Sequence, residues 1–334
     1  IVMDEPTAAL SSSEVEMLYT IIRELKSHGV SIIYISHKLD EVFTVADMIS
    51  VLRDGNLVAS GPIGDYDQKK IINLMVGREL RFVPAHNEKG ASGKELFSVE
   101  GLTNEPHFRN ISFSVNEHEI LGITGLVGAG RSELAQTVFG LMPPSAGTIK
   151  IHGDKVSINN SNDAITKGIC YLPEDRRTQG LFQGNSMAKN ITTVTLKKVL
   201  NRFRLISRAK ELGVAQDYIE KISIRPNLPE IHVENLSGGN QQKTMISRWL
   251  QADPKVLIAD EPTSGVDVGA KLEIHKLLRM LADDGVCVIL ISSDLPEVLA
   301  VSDRILVMRE GNVVDEVMSS EASQEGILEK GLIG

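Results

Sequence analysis

Residues 119–134 read EILGITGLVGAGRSEL, an apolar strand running into a glycine-rich turn and then into the start of a helix. Gly125, Gly128 and Gly130 fall where a phosphate-cradling loop needs residues without a Cβ. Backbone N–H groups and the helix N-terminus can then face an anion. Ser132 supplies the hydroxyl expected on Mg²⁺. The spacing is GxxxxG followed by Arg131 and Ser132, with arginine where the motif has lysine. Arginine is cationic too, but it is a planar fork on a longer stem and not a point charge that tucks against β- and γ-phosphates. Nucleotide binding is therefore expected to survive, with looser γ-phosphate geometry. For the loop alone, the competing reading is a glycine-rich strand–helix turn without a ligand.

Two blocks further along weaken that competing reading. KVLIADEPTSGVD, residues 255–267, places four apolar residues before Asp260, which predicts a buried strand with a carboxylate at its end. Asp260 suits a metal's water shell there. Glu261, the next residue, suits a general base that orients an attacking water. Between the two blocks, LSGGNQQK at 236–243 leaves a helix N-terminus bare at Ser237, Gly238 and Gly239, with N–H groups free for an anion. The helix should continue through QQKTMISRWLQ with Trp249 and Leu250 inward and end before Pro254.

The DEPT of residues 260–263 also stands at 4–7, an offset of 256 between Asp4 and Asp260. At that offset ISHKLDEV (35–42) matches ISSDLPEV (291–298), and VLRDGN (51–56) matches VMREGN (307–312). A repeat this long is a duplicated domain, not a solenoid. Along it His37 is matched by Ser293, so the two copies are not expected to share one chemistry. In the first copy Val15, Leu18, Tyr19 and Ile22 mark one helix face, capped by Ser13 with Glu16 and stopped at Gly29. SIIYIS (31–36) then reads as a buried strand. Ile274, Leu277, Leu278 and Leu281 repeat the helix, Gly285 stops it, and VCVILIS follows. Such alternation predicts a parallel sheet with right-handed crossovers. The chain opens inside the first copy without an initiator Met, and is expected to lack the front of that half.

The remaining composition sets bounds. At 334 residues about two domains are expected. The longest uninterrupted apolar run is Val286–Ile291, far short of the roughly 20 residues of a spanning helix. A net charge of −9 argues against a nucleic-acid partner, which usually needs a basic face. Cys170 and Cys287 sit in apolar runs and read as buried structural thiols, with neither metal spacing nor a disulfide framework.

Phosphate loop, LSGG helix, DEPT strand end, SGVD loop and ISH or ISS strand end, in that order, resemble the nucleotide-binding subunits of ABC transporters. GLVGAGRSEL, YLPEDRRTQGL (171–181), LSGGNQQK, MVGREL (75–80) and ISSDLPEV resemble more narrowly the second half of bacterial monosaccharide-importer ATPases. These are the ribose, galactose, xylose, arabinose and autoinducer-2 type, with two nucleotide-binding domains in one chain. The resemblance implies an α/β P-loop NTPase fold with a parallel core sheet, an antiparallel β subdomain and a helical insert around 180–245, all duplicated. Residues 1–83 would be the C-terminal part of the first domain, 84–94 a small, polar linker, and 95–334 the second domain.

The same resemblance implies ATP and Mg²⁺ as cofactors and head-to-tail pairing of domains, each ATP lying between one phosphate loop and the other domain's LSGG. Integral-membrane sugar permease subunits would be direct partners, and a periplasmic or extracellular sugar-binding protein an indirect one. The chain would sit peripherally on the cytoplasmic face of the inner membrane. The first-half site would use Asp4 for metal, Glu5 as catalytic base and His37 as γ-phosphate switch, facing Ser237, Gly238 and Gly239. The second-half site would use Gly125, Leu126, Val127, Gly128, Ala129, Gly130, Arg131, Ser132 and Glu133, with Asp260 and Ser132 on metal and Glu261 as base. Gln241 and Asp267 complete the ATP-binding set implied by the family. This second site departs from the pattern at Arg131 for Lys, Glu174 for Gln and Ser293 for His, and is expected to be degenerate. Ser11 stands where the first half usually has the Asp that Asp267 keeps. Neither ATP sandwich is expected to be complete within these residues. Phe108 is the nearest candidate for adenine stacking, against a competing core role. The rival functions are a soluble ABC ATPase acting away from transport, and a truncated module that binds nucleotide without turnover.

Overall fold

A computed structural model of the chain describes all residues except 5, 8–9, 11, 37–38, 54–55, 69, 72–73, 75–92, 127 and 333–334. Side chains are described for the rest apart from 12, 13, 40, 53 and 332. The expected base Glu5, switch His37, Ser11, the Ser13 cap, Val127 and linker residues 84–92 therefore lie outside the described residues or side chains. The chain divides into two compact units, residues 1–82 with 267–269, and residues 83–266 with 270–334.

In the smaller unit β1 (Val2–Asp4) and β2 (Ile33–Ile35) pair in parallel, and β3 (Met48–Arg53) and β4 (Asn56–Pro62) pair antiparallel. Helices Ser12–Ser27 and Leu39–Val45 connect them, with Tyr19 and Ile22 of the predicted face buried. The expectation of a buried strand at 31–36 needs correction. Ile33 is 61% and Ile35 47% exposed, because β2 has only β1 beside it among the described residues.

The larger unit has two sheets. β5 (Glu95–Asn104), β6 (Phe108–Asn116), β8 (Ala146–Ile151) and β9 (Asp154–Val156) form an antiparallel sheet ordered β6-β5-β8-β9. The second runs β10-β11-β12-β7-β13-β14, formed by β7 (Ile120–Gly125), β10 (Ile169–Leu172), β11 (Val256–Asp260), β12 (Cys287–Ile291), β13 (Arg304–Arg309) and β14 (Asn312–Met318). Its first five strands are parallel and β14 adds an antiparallel edge. β11 and β12 are buried along their whole length, as strands covered on both faces must be. Each fully buried Val, Leu or Ile side chain there contributes about 1.5–3 kcal/mol.

The duplication is preserved at the level of register. Val2↔Ile33, Met3↔Tyr34 and Asp4↔Ile35 become Ile258↔Ile289, Ala259↔Leu290 and Asp260↔Ile291. The bulge between Val51 and Leu52 recurs between Val307 and Met308. Helix Ser12–Ser27 recurs as Val268–Asp283, whose Ile274, Leu277, Leu278 and Leu281 are buried as predicted.

Helices Met187–Thr192, Arg208–Lys221 and Gly238–Leu250 supply the expected helical part. Its anchor is Arg248, whose Nη1 donates to Gly180 O at 2.5 Å and whose Nε donates to Asn190 O at 2.9 Å. Burial lowers its pKa to about 10. Trp249 and Leu250 point inward, and Trp249 meets Phe139 edge-on at 5.6 Å between ring centroids. Phe108 is 1% exposed, so its ring belongs to the core and offers no face to an adenine.

Candidate functional site

The glycine turn leaves the carboxyl end of β7 and delivers helix Arg131–Val138. Gly130 is its N-cap at φ +90°, and a Cβ there would lie 2.6 Å from His107 O. Only glycine tolerates both conditions. Leu126 and Gly128 are exposed at the turn, Ala129 is buried, and Ser132 and Glu133 are half-buried at the start of the helix. The first N–H groups of this helix have no intrahelical partner, a geometry that can take an anion.

Asp260 ends β11 and is 1% exposed. Its Oδ2 accepts from the Tyr171 hydroxyl at 3.0 Å, while its buried Oδ1 has no hydrogen-bond partner. Burial pushes its carboxyl up to about 6; the hydroxyls of Ser132 and Tyr171 oppose the shift, and Glu174 and Glu261 add to it. An orphaned carboxylate oxygen beside a serine hydroxyl suits a hard divalent cation. Asp260 and Ser132 are the residues here that could hold Mg²⁺. Among the described residues no cluster of three or more His, Cys, Asp or Glu forms a separate metal site.

Glu261 follows in a left-handed conformation, φ 45°, uncommon for a residue with a Cβ. Its main-chain N–H donates to Ile291 O at 2.8 Å, tying the two strand ends together. Its Oε1 accepts from the Ser293 main-chain N–H at 2.6 Å and lies 3.8 Å from Arg131 Nη1. Burial raises its pKa, opposed by hydrogen bonds from Ser293 and by the charge of Arg131. The arginine expected beside phosphates thus forms an ion pair with the acid expected to be the base. Arg131 is itself buried, and its Nη1 has no hydrogen-bond partner.

A buried network behind these residues was not read from the sequence. Glu297 Oε1 accepts from Thr263 Oγ1 at 2.7 Å and lies 2.6 Å from His275 Nε2. Its Oε2 accepts from Ser292 Oγ at 2.5 Å. Burial opposes its ionisation, yet His275, Ser292 and Thr263 together hold its carboxyl below the ordinary range. The smaller unit repeats the arrangement. Glu41 Oε1 accepts from Thr7 Oγ1 at 2.6 Å, and its Oε2 accepts from Tyr34 at 2.8 Å and Ser36 at 3.2 Å. Retention of Thr, Ser and Glu at the common offset was the available signal.

Ser237 caps helix Gly238–Leu250 without a side-chain capping bond, and its hydroxyl accepts from Asn240 Nδ2 at 2.9 Å. Ser237 is exposed, Gly238 half-buried and Gly239 buried. Gln241 is buried, donating to Val233 O at 2.9 Å and accepting from Arg176 Nε at 3.2 Å, so both ends of its amide serve contacts within the chain. Glu174, Asp267 and Ser293 are exposed. Asp4 is exposed at the end of β1, unlike its buried counterpart Asp260. No helix among the described residues is long and apolar enough to cross a membrane.

Residues 108–264 match the family model described as ABC transporter. The ribose import ATP-binding protein of Caldanaerobacter subterraneus subsp. tengcongensis is 44% identical over 334 residues, covering 100% of this chain and 67% of that protein. That of Clostridium tetani is 46% identical over 328 residues, covering 98% of this chain and 65% of its own length. A putative ribose/galactose/methyl galactoside import ATP-binding protein of Rhizobium etli is 44% identical, with 98% and 62% covered. The chain thus spans about 65% of the length of the curated relatives it matches. Among solved structures, a nucleotide-free ATP-binding cassette from an ABC transporter superposes with a TM-score of 0.60 at 21% identity, covering 70% of this chain and 95% of that one. A dimeric ATP-binding cassette in a post-hydrolysis state with ADP and Pi gives 0.57 at 21% identity, covering 67% and 99%. These two likenesses concern the fold.

Proposed function

The chain belongs to the ABC transporter family, among its ribose-type import ATP-binding proteins, and from that premise we propose that it binds and hydrolyses ATP to energise import of a monosaccharide through a membrane permease. The observation that carries this reading is the buried, unpartnered Asp260 Oδ1 beside Ser132, next to the Gly125–Gly130 turn. Residues 1–83 act as the rear of a first nucleotide-binding domain, 84–94 as linker and 95–334 as a second domain. Permease subunits bind the ATPase at the cytoplasmic face of the membrane, and a sugar-binding protein delivers cargo from the other side.

The two sites divide the work. The Gly125–Gly130 turn and the N-terminus of helix Arg131–Val138 hold nucleotide phosphates with backbone N–H groups. Mg²⁺, when bound, supplies charge neutralisation between phosphate oxygens, with Asp260 and Ser132 as its protein partners. Glu261 is poorly placed as a base there, because Arg131 and the Ser293 amide both engage its carboxylate. Hydrolysis belongs instead to the first-half site, where Glu5 orients water, Asp4 serves the metal, His37 contacts the γ-phosphate, and Ser237, Gly238 and Gly239 close the sandwich head to tail. Glu174 belongs to the second-half nucleotide site, and Asp267 carries contacts between sites.

The deciding experiment compares Glu5→Gln with Glu261→Gln in the full-length protein, reconstituted with its permease. ATPase and sugar uptake should fall by about 10²–10³ in the first variant and stay within about threefold in the second. Equal losses, or loss only in Glu261→Gln, would reverse the assignment.

A further inference from the structure

We propose that Arg176 is a positioning residue, whose guanidinium locks the segment bearing Glu174 to both the Ser237–Gly239 helix and the loop that leads to Asp267. The contact set is specific. Nη1 donates to Ser264 O at 2.7 Å, Nη2 to Gly265 O at 2.9 Å, and Nε to Gln241 Oε1 at 3.2 Å. Two separate stretches of chain, 65 and 88–89 residues beyond Arg176 in sequence, meet on its one planar group.

Both sides of the clasp are prepared. Arg176 opens a single π-helical turn, Arg176–Gly180, held from below by Asp175. That carboxylate accepts from the Arg177 N–H at 2.8 Å, the Thr178 N–H at 3.2 Å and the Thr178 hydroxyl at 2.6 Å. On the far side a Cβ at position 238 would lie 2.9 Å from Arg176 Nη2 and 3.1 Å from Gly265 O. Glycine there lets the guanidinium lie against the first residue of the signature helix. Gln241, anchored by its own donation to Val233 O, presents its carbonyl to Nε. A fork with fixed donor directions satisfies two consecutive carbonyls and a third acceptor at once, which an ammonium group cannot.

This inference rests on the proposed division of sites. In that reading Glu174 belongs with Asp260 at the second-half nucleotide, whereas Ser237–Gly239 close the first-half site. Arg176 therefore transmits the position of one site's loop to the other site's signature. It touches no substrate and acts through the Gln241 side chain, in the helix that Ser237 caps, and the carbonyls of residues 264–265.

Arg176→Lys keeps the charge and removes the fork. In the full-length ATPase with its permease, kcat should fall about 10–100-fold, as when reacting groups are misplaced by an ångström, while KM for ATP shifts less than about threefold. Hydrogen–deuterium exchange without nucleotide should accelerate together over 236–241 and 262–268 and stay unchanged over 125–134. Wild-type kcat in the variant, a KM increase matching the loss of kcat, or faster exchange confined to 175–180 would each overturn the proposal. The exchange measurement needs no turnover. If the wild-type protein hydrolyses no ATP, the division of sites fails, while exchange still decides whether the clasp couples its segments.

Discussion

The main-chain N–H of Ser293 donates to Glu261 Oε1 at 2.6 Å. At the position where the other copy has His37, the second copy thus engages its acid through the backbone, a contact that any residue except proline supplies. Its hydroxyl also restrains the carboxyl's pKa, but no imidazole is present to reach a phosphate.

Ser293→Ala should consequently be nearly silent in transport, whereas His37→Ala should stop it. An imidazole at a strand end can hydrogen-bond the γ-phosphate and hold the attacking water beside Glu5. Loss of such positioning and charge stabilisation costs on the order of 10²–10³ in rate. Sugar uptake and ATPase of the two full-length variants, at matched abundance, provide the comparison. Similar small losses in both would mean that the two copies do not differ at this position.

Arg131→Met should lower unfolding free energy by about 1–3 kcal/mol, since it leaves the Glu261 carboxylate without its cation in a partly buried setting. Adding Glu261→Gln should recover most of the loss, because the remaining group is neutral. A double-mutant cycle by urea unfolding measures both numbers. Additive effects would dismiss the ion pair as energetically idle.

Local motifs carried much of what was legible in the sequence. The glycine turn, Asp260 at a strand end and the bare helix at Ser237 are each set by residues within a few positions of one another. The 256-residue offset likewise anticipated the shared register of β1–β2 and β11–β12. What escaped were side-chain contacts across long separations: Arg131 with Glu261, Arg176 with Gly265, and His275 with Glu297. No periodicity marks such pairs, because they join helix, turn and loop residues that only the tertiary packing brings together. SIIYIS was misread for a related reason, as apolar content reports what a strand can bury and not which neighbours lie beside it.

Cys170 and Cys287 should resist alkylation in the folded protein. Both are 0% exposed, and burial pushes the Cys170 thiol up to about 12 and the Cys287 thiol higher still. The thiolate is the reacting species, so little of it exists at neutral pH. Iodoacetamide at pH 8 followed by intact mass should add nothing to the native chain and two groups after denaturation. Rapid native labelling at either site would contradict the packed strands around it.

Asp260→Asn should stabilise the nucleotide-free protein at neutral pH, and the gain should vanish in mild acid. The folded-state carboxyl is held at about 6, above its ordinary value of 3.8, chiefly by burial. Between those values the folded form binds more protons than the unfolded form, so stability falls as pH rises through about 6. Above that range the wild type carries a buried charge costing about 2–3 kcal/mol, which is what a carboxyl held at about 6 in place of 3.8 amounts to. Asparagine removes that charge and keeps an acceptor for the Tyr171 hydroxyl. Urea unfolding of both proteins from pH 3.5 to 8 should show curves that converge in acid, separate between about pH 4 and 6 and run parallel above. Added Mg²⁺ and ATP should then favour the wild type, since the same carboxylate is the proposed metal partner. A variant less stable than wild type at pH 7.5, or a separation that widens toward acid, would show that Asp260 is not held uphill by its surroundings.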